Sequence, residues 1–111
     1  MTLINGLCVD KATNTTGAIA MTVTPITDSL LDCVSVKLSS AGGAGSLTIT
    51  IDDGEGVVYD LVLATQDMTS VTDYLYLPTR PIPLKSGDKI LIAYPNANNR
   101  TYGVKVKYRQ V

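Results

Sequence analysis

Apolar and polar residues alternate along most of this chain with a period of two, the pattern of strands that bury one face. Leu47, Ile49 and Ile51 alternate with Thr48 and Thr50, and Tyr102, Val104, Val106 and Tyr108 alternate with Gly103, Lys105, Lys107 and Arg109. Val34, Val36 and Leu38 alternate with Ser35 and Lys37. Tyr59, Leu61 and Leu63 fall on one face of another predicted strand, with Asp60, Val62 and Ala64 on the other. Ile19 to Val23 reads as a strand ended by Pro25, and Tyr74 to Leu77 as one stopped by Pro78. The unbroken apolar run Ile90 to Tyr94 suits a strand covered on both faces. Thr2 to Val9 supplies a first strand, weakened at Gly6. The nearest helix candidate, Leu61 to Met68, is rich in residues that favour strands.

Between these runs, the glycine-rich stretch Ser39 to Gly45 predicts a mobile connection, and Asp52-Asp53-Gly54-Glu55-Gly56, Ser86-Gly87-Asp88 and Asn96 to Asn99 predict turns. Pro78, Pro81 and Pro83 hold Thr79 to Leu84 extended and bar it from a sheet interior. About eight short strands with turns every 8 to 14 residues or so point to a sandwich or barrel. The expected fold is all-β: a jelly-roll or Greek-key β-sandwich of about eight strands, one domain over residues 1–111. An immunoglobulin-like sandwich ranks second, because its core tryptophan and cysteine pair are missing.

Composition narrows the function more than the fold. Phe and Trp are absent and the only aromatics are six Tyr, so Val, Ile, Leu and Ala are expected to fill the core. Nine Lys and Arg against ten Asp and Glu leave a formal charge of −1, unlike a chain that neutralises nucleic-acid phosphates or docks on an anionic membrane. No apolar stretch approaches the roughly 20 residues of a spanning helix. Met1 to Leu7 lacks the basic start and apolar run of a signal peptide, so synthesis and retention in a cytosol until assembly are expected. Cys8 and Cys33 read as two thiols used as small apolar residues, with pairing the alternative.

Candidate chemistry is sparse. With no histidine, the commonest general base and zinc ligand are missing, and no phosphate-binding loop is present. No enzyme, cofactor, metal or small-molecule substrate is expected. Asp52, Asp53 and Glu55 read as a solvated turn in preference to a calcium loop, since EF-hand spacing is absent. Asp67, ahead of Met68-Thr69-Ser70, reads as a turn cap. The sequons at Asn14 and Asn99 read as loops. Function is therefore expected on outward surfaces. Lys105, Lys107 and Arg109 form a basic stripe about 13 to 14 Å long, at roughly 3.3 Å per residue. That stripe serves either to guard a sheet edge or to meet an acidic partner. Of the pairs Tyr74/Tyr76 and Leu75/Leu77, one should be exposed; the tyrosines would make good interface anchors, or a platform for a sugar.

The succession Leu47-Thr48-Ile49-Thr50-Ile51-Asp52, Val58-Tyr59-Asp60-Leu61-Val62-Leu63 and Val71-Thr72-Asp73 resembles a family of small tailed-phage virion proteins. The resemblance continues through Leu77-Pro78, Leu84-Lys85-Ser86-Gly87-Asp88, Ile92-Ala93-Tyr94 and Arg100-Thr101-Tyr102-Gly103, covering residues 34–108. Within that family the chain is most similar to the capsid decoration, or staple, proteins of epsilon-fifteen-type Salmonella podoviruses. The resemblance implies a jelly-roll-like subunit on the outer face of the virion head, cementing major capsid (coat) subunits, and a homodimer. It carries over no catalytic residue, and no motif marks its contact residues. A tail, connector or fibre component is the alternative within the virion, and a carbohydrate-binding module the alternative outside it. Residues 1–30 match less closely and belong either to the sandwich or to an extended arm.

Overall fold

The alternating segments become strands of two antiparallel sheets. The computed structural model describes residues 2–4, 7–14 and 17–111, with side chains at Val9 and from residue 17 onward. Its strands are β1 (Thr2–Ile4), β2 (Leu7–Asn14), β3 (Ile19–Val23), β4 (Ser29–Leu38), β5 (Ser46–Asp52), β6 (Leu61–Asp67), β7 (Asp73–Tyr76), β8 (Ile82–Leu84), β9 (Lys89–Tyr94) and β10 (Tyr102–Gln110). A 3-10 turn, Val57–Tyr59, precedes β6.

The pairing is that of one long hairpin. β2 lies against β10, β3 against β9, β4 against β7 and β8, and β5 against β6. Rolling this hairpin so that alternate pairs fall in different sheets gives the orders β2-β10-β4-β7 and β3-β9-β5-β6, the strand order of a jelly roll. β1 extends the first sheet beyond β2, and β8 continues its far edge along the start of β4. The expected all-β jelly-roll sandwich is thus the observed fold. β2 is paired to β10 over the whole length Leu7–Asn14.

The core lies between the sheets. Leu31, Val34, Val36 and Leu38 of β4, with Tyr102, Val104, Val106 and Tyr108 of β10, face Leu47, Ile49 and Ile51 of β5 and Ile90, Ile92 and Tyr94 of β9. Branched aliphatics are stiff at χ1 and fill a pleated surface at little entropic cost. Two sequence expectations need correction here. Alanine contributes little: Ala18, Ala20, Ala93 and Ala97 are exposed, and three tyrosines take the space instead. The Ile90 to Tyr94 run is covered on one face only, since Ala93 faces out and Leu91 is half-buried.

Two β-bulges break the simple alternation. Opposite β10 the register passes from Lys107↔Cys33 to Tyr108↔Leu31, so Asp32 is an extra residue in β4. That insertion lets Leu31 and Val34, three apart in sequence, both point into the core. Opposite β5 the register passes from Ile49↔Ala64 to Thr50↔Val62, which makes Leu63 the extra residue of β6.

The glycine-rich connection 39–45 is pinned, contrary to its expected mobility. The Gly42 N–H donates to the Val71 carbonyl (3.0 Å) and the Ser70 N–H donates to the Gly42 carbonyl (3.2 Å). The Tyr94 hydroxyl donates to Gly43 O (3.2 Å), and Arg100 Nε donates to Ala41 O (2.9 Å). The glycines permit close approach: a Cβ on Gly42 would lie 2.6 Å from both Met68 O and Tyr94 Oη. Behind this loop, Asn96 is buried, and its side chain donates to Gly17 O (2.7 Å) and Arg100 O (2.9 Å) while accepting from the Arg100 N–H (3.0 Å). One satisfied amide thus ties the β9–β10 turn to the start of β3.

The Cys33 thiol is free and half-buried, not fully buried as expected. Cys8 stands opposite Tyr108 and Cys33 opposite Lys107, on the two sides of β10. Their Cα atoms are therefore separated by at least two strand spacings, about 9.6 Å. A disulfide reaches about 7 Å at most, so β10 keeps the pair apart. The Cys8 side chain, Gly6 and the sequon threonines Thr15 and Thr16 lie outside the described residues.

Gly42→Ala is expected to destabilise the fold by about 1–3 kcal/mol, the cost of overpacking. Gly54, at φ +80° with open space around its Cβ position, gives the contrast: Gly54→Ala carries backbone strain alone. Urea denaturation of the two variants checks this. A Gly42→Ala midpoint equal to wild type would remove the close-approach argument.

Candidate functional site

The described surface offers four places where a partner could act: the outer face of the first sheet, the β7 edge, the connection between β5 and β6, and an open depression beside it.

On the outer face, Lys105 is exposed, Lys107 half-buried and Arg109 exposed. β10 lies between β2 and β4, so the stripe does not guard a sheet edge, and that expectation is corrected. The cations are also not equivalent. Arg109 Nε donates to Asp32 Oδ2 at 2.9 Å, so the bulge that inserts Asp32 neutralises one end of the stripe. An exposed pair of this kind adds about 0–1 kcal/mol. Toward the other end of β10, Lys37 of β4 is in register with Gly103 and is exposed.

At the β7 edge the tyrosines are the inward pair. Tyr74 and Tyr76 are half-buried against the core, while Leu75 and Leu77 are 58% and 69% exposed. The reason is register: Tyr76 stands opposite Val34 and Tyr74 opposite Val36, both core positions of β4. Burial, and secondarily the neighbouring Tyr74, raises the Tyr76 hydroxyl above the usual phenol range. The outward anchors of this edge are leucines, not tyrosines.

The connection between β5 and β6 is a surface that the period-two pattern does not announce. Val57 and Val58 are 85% and 86% exposed, and Tyr59, Leu61 and Val62 also stand clear of the core. The 3-10 turn lifts the first three off the sheet, the Leu63 bulge sets Val62 opposite Thr50 on the outward face, and Leu61, opposite Ile51, stays exposed at the start of the strand. Tyr59 is therefore not the strand residue expected. Five successive apolar or small residues from Leu61 to Thr65, too many for one face of a strand, were the available signal.

At the foot of this corner, oxygens of Asp52, Asp53 and Asp60 all lie within 4.8 Å of one another. Asp52 Oδ1 accepts from the Gly54 N–H and Asp53 Oδ1 from the Glu55 N–H, each at 2.9 Å, which builds the expected turn. Asp60 Oδ1 is shut off from solvent without a hydrogen-bond partner. Burial of its carboxyl first, then Asp52 through charge and a shared hydrogen bond, then Asp53, raises its pKa above the ordinary carboxylate value. Asp67 behaves in the opposite sense: its Oδ1 accepts from the Thr69 N–H at 2.9 Å, which lowers its pKa and makes it the turn cap the sequence indicated.

Beside the corner lies an open depression of about 610 Å³ lined by Asp28, Asp53, Glu55, Lys85, Asp88 and Val111 among others. Its acids mostly hold backbone: Asp28 Oδ1 accepts from the Ser86 N–H (3.0 Å), and Asp88 Oδ2 from the Lys85 N–H (2.9 Å). No helix among the described residues is long and apolar enough to cross a membrane.

No family model matches the chain, and no curated protein matches it. Among solved structures it is similar to a crystal structure of PirA, with a TM-score of 0.46 and 14% identity, covering 96% of each chain. It is also similar to the structure of infectious bursal disease virus Gx strain, with a TM-score of 0.40 and 16% identity, over 96% of this chain and 32% of that one.

The raised Asp60 pKa has a definite sign. The folded carboxyl holds its proton more tightly than the unfolded one, so its contribution to stability is fully present below the unfolded pKa and lost as pH rises through the folded value. Asp60→Asn is accordingly expected to raise the melting temperature at pH of about 7 and to flatten the decline between acid and neutral pH. Thermal unfolding across that range checks it; a lower melting temperature with the slope unchanged counts against the assignment.

Proposed function

We propose that this protein is a structural component of a phage particle: a decoration, or cement, protein that binds the outer surface of the head and holds neighbouring coat subunits together. The observation that carries the reading is the exposed aliphatic corner Val57, Val58, Tyr59, Leu61 and Val62 on a rigid two-sheet slab. Large apolar side chains held in water by a well-packed scaffold mark a surface made to be covered by another protein. The resemblance of residues 34–108 to tailed-phage virion proteins supplies the kind of partner, the major capsid protein.

The protein then works by binding, with no reaction of its own. A clamp that binds only the finished lattice stabilises it by mass action against the pressure of packed DNA. A homodimer would engage two lattice sites at once and gain from effective concentration. On this reading the chain is made in the bacterial cytoplasm and resides on the outside of the virion. The carbohydrate-binding reading loses its platform, because Tyr74 and Tyr76 turn inward.

The protein is expected to co-sediment with expanded empty shells and to stay in the supernatant with unassembled coat protein. Gold labelling of the particle should decorate the whole head. Labelling confined to one vertex or the tail, with no binding to shells, would replace decoration with a connector or fibre role.

A further inference from the structure

The acids of this chain are unevenly placed. Residues 52–67 contain Asp52, Asp53, Glu55, Asp60 and Asp67 and no Lys or Arg; the remaining five acids face all nine cations, so the rest of the molecule carries +4. Asp52, Asp53, Glu55 and Asp60 flank the most exposed apolar side chains of the described residues, with Lys89 in register with Asp52, while Asp67 lies at the other end of β6 opposite Ser46. Asp53 and Glu55 also line the 610 Å³ depression, together with Asp28, Asp88 and Lys85. An aliphatic knob and a carboxylate pocket are thus built on one corner.

We propose that this corner is the docking site for a partner segment in which apolar residues sit beside a Lys or Arg, the cation seating among Asp52, Asp53 and Asp60. The inference rests on the decoration reading and adds the face and the chemistry of the contact. Charge decides the occupant. A second copy placed corner to corner would set Asp52, Asp53, Glu55 and Asp60 against the same four carboxylates, a repulsion that disfavours self-association here. A basic side chain meets the carboxylates of Asp52, Asp53 and Asp60, whose oxygens group within 4.8 Å. The valines and Leu61 supply the apolar area that charge alone does not. The basic outer face around Lys105 lies on the other sheet and is not part of this contact.

The test uses the intact protein and expanded empty shells. Val58→Asp puts a charge on an 86%-exposed side chain, and Asp52→Asn with Asp53→Asn keeps the oxygens that hold the turn while removing charge. Each is expected to weaken shell binding at least tenfold with the melting temperature unchanged, while Lys105→Glu leaves binding within twofold. Wild-type protein that binds shells together with corner variants that bind equally well overturns this proposal and leaves the decoration reading intact. If wild type itself does not bind shells, the decoration reading fails, and a second arm decides the corner. Two synthetic peptides, a valine-rich one flanked by lysines and the same one flanked by glutamates, are titrated and followed by backbone amide NMR. Shifts over residues 52–67 with the lysine peptide alone support the corner. No shifts there, or equal shifts with both peptides, overturn it, as does calcium alone saturating Asp52, Asp53 and Asp60.

Discussion

The structure depends on the mutual burial of two aliphatic faces, one from each sheet. Neither face is stable in water alone, and the strands that make them are joined almost wholly by long-range pairing: β2 to β10, β3 to β9, β4 to β7. Each pairing requires closing a long loop, and the apolar area removed from water offsets that entropy at about 25 cal/mol per Å². β4 and β10, paired side by side and contributing four buried hydrophobic residues each, are the middle of this arrangement. Capping the core, the buried Asn96 amide and the hydrogen bonds on the 39–45 loop fix the connections at one end of the roll. The opposite end carries the exposed corner, where the chain spends no side chain on the core between Asp52 and Leu63.

The period-two signal made most of the fold legible. Thr48 and Thr50 between Leu47, Ile49 and Ile51, and the Lys and Arg of β10 between its Val and Tyr residues, declare which face is wet. Turn chemistry placed the breaks at Asp52 to Gly56 and Asn96 to Asn99. What could not be read was register. Asp32 and Leu63 are bulge residues, and a bulge is a relation between two strands, absent from the pattern of either alone. The same gap explains the tyrosines: period two says that Tyr74 and Tyr76 oppose Leu75 and Leu77, but only the match to Val34 and Val36 decides which pair turns inward.

The candidate site was less legible than the fold, for a related reason. An apolar run in sequence is read as core by default, since most such runs are buried. Val57 to Val62 departs from that rule because a 3-10 turn and a bulge act in succession, both set by tertiary packing. The glycine-rich stretch misled in the opposite direction. Gly42 is small because Met68 O and Tyr94 Oη come within reach, not because the loop needs freedom. Composition cannot separate glycine for flexibility from glycine for clearance.

The position of β10 between β2 and β4 has a consequence for how the protein is made. Translation proceeds from the N-terminus, and the residues that join β2 to β4 emerge after every other strand of the two sheets. Throughout synthesis, β2 and β4 wait with open edges and uncovered valines and leucines, while β3, β5 and β9 can already associate. The nascent chain therefore cannot complete its first sheet until β10 has left the exit tunnel, with that strand inserted as a wedge between two partners made much earlier.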